Sequence, residues 1–184
     1  MRLLALRHPP TLAPPELCVG RLDIACDDAE IDRAVERWCA QLAAPAPQRV
    51  FASPLLRCRQ PAERLAARLQ VPCTVDDDLM EAHFGAWEGR RWSEIAQHEI
   101  DAWVADFGDA APGGGESVRQ VLARVERWLG RVQAQHRGQT CVAVTHAGVI
   151  GALAWLMSPH DGALPSARQW PPRRVAHGEL VAFG

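Results

Sequence analysis

Short apolar runs alternate along this 184-residue chain with longer stretches of helical period, and that alternation leaves few folds open to it. Arg2 to Leu6, Arg49 to Ala52, Cys73 to Val75 and Thr140 to Thr145 have the length and composition of strands, and Glu179 to Phe183 offers a fifth. Between them, Asp28 to Ala44 places Ile31, Val35, Trp38, Cys39 and Leu42 on one helical face and ends in the breaker PAP. Leu55 to Leu69 reads as a second helix, with Pro61 expected to interrupt its start. Trp92 to Phe107 is a third. Glu116 to His136 is the longest amphipathic stretch, and HAGVIGALAWLM after the 140–145 strand reads as a buried helix. Residues 9–27 read as loop and PGGG as flexible punctuation. Strands alternating with helices predict an α/β fold in three layers, a mostly parallel central sheet with helices on both faces. The length suits one domain over residues 1–184.

Composition removes several function classes. There is no Lys, Asn or Tyr, so all 20 cationic side chains are Arg. A P-loop and Schiff-base or pyridoxal chemistry both need a lysine and are excluded. The same bias lowers the information in any single Arg, because Arg also fills surface positions that Lys usually takes. A net charge of −2 gives no reason to expect nucleic acid or an anionic membrane as a partner. No run approaches the roughly 18 apolar residues of a membrane span, and the six cysteines form no C-x-x-C pair. The expectation is a soluble cytoplasmic protein with no disulfide framework, no metal and no cofactor. Its oligomeric state is not legible.

Open parallel sheets bind ligands beyond the carboxyl ends of their strands. Three of these strands end in reactive residues: Arg7-His8, Ser53-Pro54-Leu55-Leu56-Arg57, and Thr145-His146-Ala147-Gly148. If the three are neighbours, two imidazoles and two guanidiniums converge into a pocket for a dianion with a nucleophile inside it. Arg7 and Arg57 can donate to phosphoryl oxygens and hold the charge that spreads in a transition state. A neutral His8 can attack phosphorus. His146 can donate to the same oxygens, and the backbone N–H groups from Ala147 onward, opening a helix, point at the anion. The leaving oxygen needs a proton donor. Glu81 in LMEAHFGAWEG, flanked by apolar side chains, is a candidate, with Glu88 and Glu116 as competitors. Asp76, Asp77 and Asp78 read as a solvent-facing turn rather than a metal site. The seven tryptophans read mostly as core, except Trp87, which lies in the Glu81 loop where a ring can stack on a base.

LLALRH, SPLLRCRQPA, LMEAHFGAWEG, PGGGES and VAVTHAG, in that order, resemble the histidine phosphatase (phosphoglycerate mutase-like) superfamily over Arg2 to about Met157. With CVGRLD and the FGAWEG loop, the chain is most similar to the alpha-ribazole phosphatases of cobalamin assembly. The resemblance implies His8 as nucleophile, Arg7, Arg57 and His146 as phosphate ligands, Glu81 as proton donor, and no metal. The implied activity is a phosphomonoesterase that works through phosphohistidine on a small phosphorylated metabolite, with alpha-ribazole phosphate as the candidate. A mutase or broad sugar-phosphate phosphatase is the alternative on the same scaffold, and a phosphate-binding module without turnover is the alternative from another class. Three prolines depart from the family pattern. Pro9 stands where the family writes Gly, Pro14 where it often has Asn, and Pro61 where it usually has Thr. The phosphate hydrogen bond that this Asn would make is either missing or supplied elsewhere, with Thr11 and Arg21 as the candidates.

Overall fold

The computed structural model describes residues 1–42, 46–170 and 174–183. Strands β1 (Arg2–Arg7), β2 (Arg49–Ala52), β3 (Cys73–Val75), β4 (Thr140–Thr145) and β5 (Leu180–Phe183) form one sheet in the order β3-β2-β4-β1-β5. Every pairing is parallel except that of β5 with β1. The sheet is therefore the mostly parallel one the sequence predicts, with an antiparallel edge. Arg7 is paired with Thr145 and Ala52 with Val144, so β1, β2 and β4 finish nearly level.

Successive side chains of a strand point to opposite faces, and both faces here are covered. Helices α1 (Asp28–Gln41) and α2 (Leu56–Leu69) bury Leu4, Leu6, Val50, Ala52, Val142 and Val144. On the other face α4 (Val118–Gln135) and α5 (Ala147–Leu156) cover Leu3, Ala5, Phe51, Cys141 and Ala143. Local signals set the helix starts. The Asp27 carboxylate accepts from the amides of Ala29 and Glu30 to begin α1. Ser117 and Gln120 cap each other's backbone at the start of α4.

Besides one- or two-residue shifts at other element ends, four features differ from the sequence expectation. The first helix ends at Gln41; the expected continuation through Ala43 and Ala44 lies outside the described residues. Pro61 does not interrupt α2. A proline inside a helix removes the hydrogen bond to the carbonyl four residues back, here that of Arg57, which instead faces the Cys26 thiol at 3.8 Å. The stretch from Trp92 to Phe107 is broken into a 3-10 turn at Trp92–Glu94 and α3 (Gln97–Ala105), because Ile95 turns inward to pack with Cys18 and Trp87. PGGG is not flexible punctuation. A Cβ on Gly85 would lie 2.1 Å from the Gly113 carbonyl oxygen, and one on Gly115 would lie 2.1 Å from that of His83. These glycines let two backbones touch, which fastens the Glu81 loop to the start of α4.

Candidate active site

His8 is placed by the main chain on both sides. Its amide donates to the Thr145 carbonyl at 3.0 Å, which extends the β1–β4 ladder one residue beyond the strand. Its Nδ1 lies 2.7 Å from the Pro9 carbonyl oxygen. A carbonyl only accepts, so Nδ1 carries the proton and Nε2 presents its lone pair. Burial, helped by the charges of Arg57 and Arg7 and by His177, pushes the His8 pKa well below the ordinary imidazole value. The ring is neutral at pH 7, as a nucleophile must be.

Arg57, in the first turn of α2, is 2% exposed. Its Nη1 and Nη2 donate to the carbonyls of Leu22 and Gly20, each at 2.6 Å, and its Nε donates to His146 Nδ1 at 3.2 Å. A guanidinium has five N–H groups. Three fix this one rigidly and two are left over. Arg7 donates through Nη1 to the Val175 carbonyl at 2.5 Å and through Nη2 to His177 Nε2 at 3.2 Å. Both cations are held at the carboxyl edge beside His8, and all three residues line one cavity of about 820 Å³.

His146 lies behind that cavity wall, 0% exposed, with its ring centroid 5.3 Å from that of His8. Since Nδ1 accepts from Arg57, Nε2 carries the proton and donates to Ser53 Oγ at 2.8 Å. In this arrangement His146 orders Arg57, and its nitrogens are not offered to the cavity. Burial first, then the nearby guanidiniums, pushes its pKa well down as well.

Glu81 lines the same cavity. Its two oxygens accept from the amides of Ala82 at 3.0 Å and Gly148 at 3.3 Å, so the first turn of α5 holds the carboxylate. A Cβ on Gly148 would fall 2.3 Å from the Glu81 oxygen, so any side chain there displaces the carboxylate from this position. The competing carboxylates have structural partners. Glu88 accepts from the amides of Arg21 and Phe84, both at 2.9 Å, and fills the space beneath Gly20. Glu116 is clamped by Arg124 and by Arg21.

Thr11 and Ala147 line the cavity, as do Pro10 and Pro14. Arg21 does not. It donates through Nε to the Glu81 carbonyl at 3.0 Å and through Nη2 to Glu116 at 3.0 Å, so it braces the Glu81 loop from outside. Trp87 corrects the expectation of a stacking platform. Its ring is 2% exposed in a cluster with Cys18 and Ile95, and its N–H donates to Glu99 at 2.9 Å. Phe84, Trp92, Trp103, Phe107 and Trp170 line the cavity instead. The acidic turn is likewise more than solvent-facing loop, since Asp76 and Asp78 form ion pairs with Arg131 and Arg127 on α4. Ser53 and His177 had no role in the sequence reading. The only earlier signal of Ser53 was its place at a strand end next to Arg57. His177 had none.

Residues 3–174 match the model of the histidine phosphatase superfamily (branch 1). Among curated proteins the chain is 32% identical to the adenosylcobalamin/alpha-ribazole phosphatase of Salmonella typhimurium, over 66% of this chain and 60% of that protein. It spans only 29% of the length of the Mycobacterium tuberculosis relative that matches 56% of it at 38% identity. Among solved structures, a mycobacterial glucosyl-3-phosphoglycerate phosphatase superimposes with a TM-score of 0.83 at 26% identity, covering 98% of this chain and 88% of that one. The alpha-ribazole phosphatase of Shigella flexneri gives a TM-score of 0.82 at 28% identity, covering 99% and 89%.

Proposed function

Because this chain belongs to the histidine phosphatase superfamily, we propose that it is a metal-independent phosphomonoesterase in which His8 is the nucleophile. One observation carries the reading: a neutral His8 with Nε2 free shares one cavity lining with two immobilised guanidiniums and with Glu81. Nε2 attacks phosphorus, and the N–P bond forms as the ester P–O bond breaks. The free N–H groups of Arg7 and Arg57 hold the equatorial oxygens, and because both cations are already fixed, little reorganisation is needed at the moment of transfer. Protonated Glu81 gives its proton to the departing alcohol oxygen. The resulting carboxylate then takes a proton from the water that attacks phosphohistidine, and this returns both residues to their starting states.

For the leaving group we favour an alcohol that carries an aromatic ring system, with alpha-ribazole phosphate as the first compound to assay. Phosphatases of that name are among the relatives, and beyond the phosphate end the cavity wall is apolar, with Phe84, Trp92, Trp103, Phe107 and Trp170 available for ring contact. A leaving group made of a sugar alone would leave these rings without a partner.

The reading is tested by hydrolysis of an aryl phosphate in excess EDTA. Turnover at the untreated rate is expected, together with its loss in His8→Ala. Activity that falls on chelation and returns with Mg²⁺, or survives in His8→Ala, contradicts it.

A further inference from the structure

His177 belongs to none of the sequence motifs, yet it touches both residues of the Arg7-His8 pair. It stands in the turn before β5, where the Gly178 amide donates to the carbonyls of Arg7 at 3.0 Å and His8 at 3.2 Å. Its ring centroid is 5.0 Å from that of His8, and it lines the cavity. Nε2 faces Arg7 Nη2 at 3.2 Å and Nδ1 faces the His8 carbonyl oxygen at 3.2 Å. A guanidinium only donates and a carbonyl only accepts, so a single protonation state satisfies both contacts: hydrogen on Nδ1 and a lone pair on Nε2.

We propose that His177 is a positioning residue of this active site, a neutral brace that accepts from Arg7 and donates to the backbone of His8, so that the nucleophile and the phosphate-binding cation are held in one fixed relation. The proposal rests on the phosphatase reading above. A second proton on His177 would set an N–H against the guanidinium and break the Arg7 contact. Around it, Arg7 and His8 face it from the end of β1 and Arg57 from α2, while Glu179, on its own segment, accepts from the Ala176 amide at 2.6 Å. Burial of part of the ring, then Arg7, lowers the His177 pKa. The residue is nevertheless solvent-exposed where His8 is buried, so a second proton reaches His177 at a smaller cost in lost hydration.

Imidazole ¹⁵N NMR of the wild-type protein at pH 7.5 should find His177 neutral with its proton on Nδ1, a result that does not depend on turnover. In kinetics, His177→Ala should lower kcat by about 10- to 100-fold, the scale expected when a reacting group is misplaced by about 1 Å. KM should change less. His177→Gln supplies an amide oxygen for Arg7 without a titrating ring, so it should recover most of kcat, and its acid limb in kcat/KM should lie at lower pH than that of the wild type. Circular dichroism establishes that each variant is folded, and if the Ala variant is not, the Gln variant and the NMR result carry the test. A charged or Nε2-protonated His177, a wild-type kcat in the Ala variant, or an unmoved acid limb in the Gln variant overturns the proposal. If the wild type hydrolyses no ester at all, the phosphatase reading falls instead, and the NMR result still decides whether His177 braces Arg7.

Discussion

Glu81 offers the clearest division of labour among single residues, because its carboxylate is positioned by backbone amides while the Arg57 clamp is built from other elements. Glu81→Gln should therefore leave phosphate binding intact and remove only the proton transfers. Alkyl phosphates, whose alcohols need a proton to depart, should lose about 10²–10⁴-fold in kcat, and p-nitrophenyl phosphate much less. Measuring both esters side by side checks this, and equal losses would reassign the donor. At this scale the sequence drew His8, Arg7, Arg57, Glu81 and His146 together, because each adjoins a strand end or a distinctive motif, but it read His146 as a phosphate ligand whereas its nitrogens turn to Arg57 and Ser53. Ser53 and His177 were harder to see. A hydroxyl becomes significant only through its partner, and Ser53 meets His146 93 residues away. Trp87 failed for the opposite reason: in an irregular loop no period tells which way a ring turns.

Among the elements, the glycine contact between the Glu81 loop and the turn before α4 is the least expected. Gly85 has φ +54° and its hydrogen lies against the Gly113 carbonyl, whereas Gly138, at φ +74°, has open space around it. Replacing either by Ala incurs the left-handed backbone cost of about 1–3 kcal/mol, but only Gly85→Ala also forces two backbones apart. Calorimetry should show the larger drop in Tm for Gly85→Ala, at roughly 2–4 °C per kcal/mol for a domain of this size, and a loss of kcat not seen in Gly138→Ala. Equal Tm losses would mean that the close approach contributes nothing. Strand and helix positions were legible from periodicity, and their ends less so. Pro61 and PGGG misled because a proline's missing bond can be tolerated and a glycine run can be rigid, and local sequence states neither fact.

For the whole molecule, the order β3-β2-β4-β1-β5 is what turns scattered motifs into one site, since it sets β4 between β2 and β1 with their carboxyl ends level. It also leaves the cavity open toward an apolar rim. Trp92 and Val104, both in the cavity lining, are 38% and 47% exposed, and Leu12, 68% exposed, sits between the cavity-lining Thr11 and Ala13. Trp92→Ala should raise KM for an aryl-bearing ester by roughly 10-fold, the equivalent of about 1.4 kcal/mol of lost apolar contact, and leave KM for glycerol phosphate within about twofold. Uniform effects on both esters would place the leaving group elsewhere.

The antiparallel edge has a consequence in time. Val175, His177 and Gly178 hold the Arg7-His8 pair through hydrogen bonds, and His177 follows His8 by 169 residues. A ribosome therefore lays down the proposed nucleophile 169 residues before the proposed brace. Over that interval the nascent polypeptide displays His8 with none of these contacts on Arg7, and on the proposed reading the site is complete only when the strand after Gly178 closes along β1.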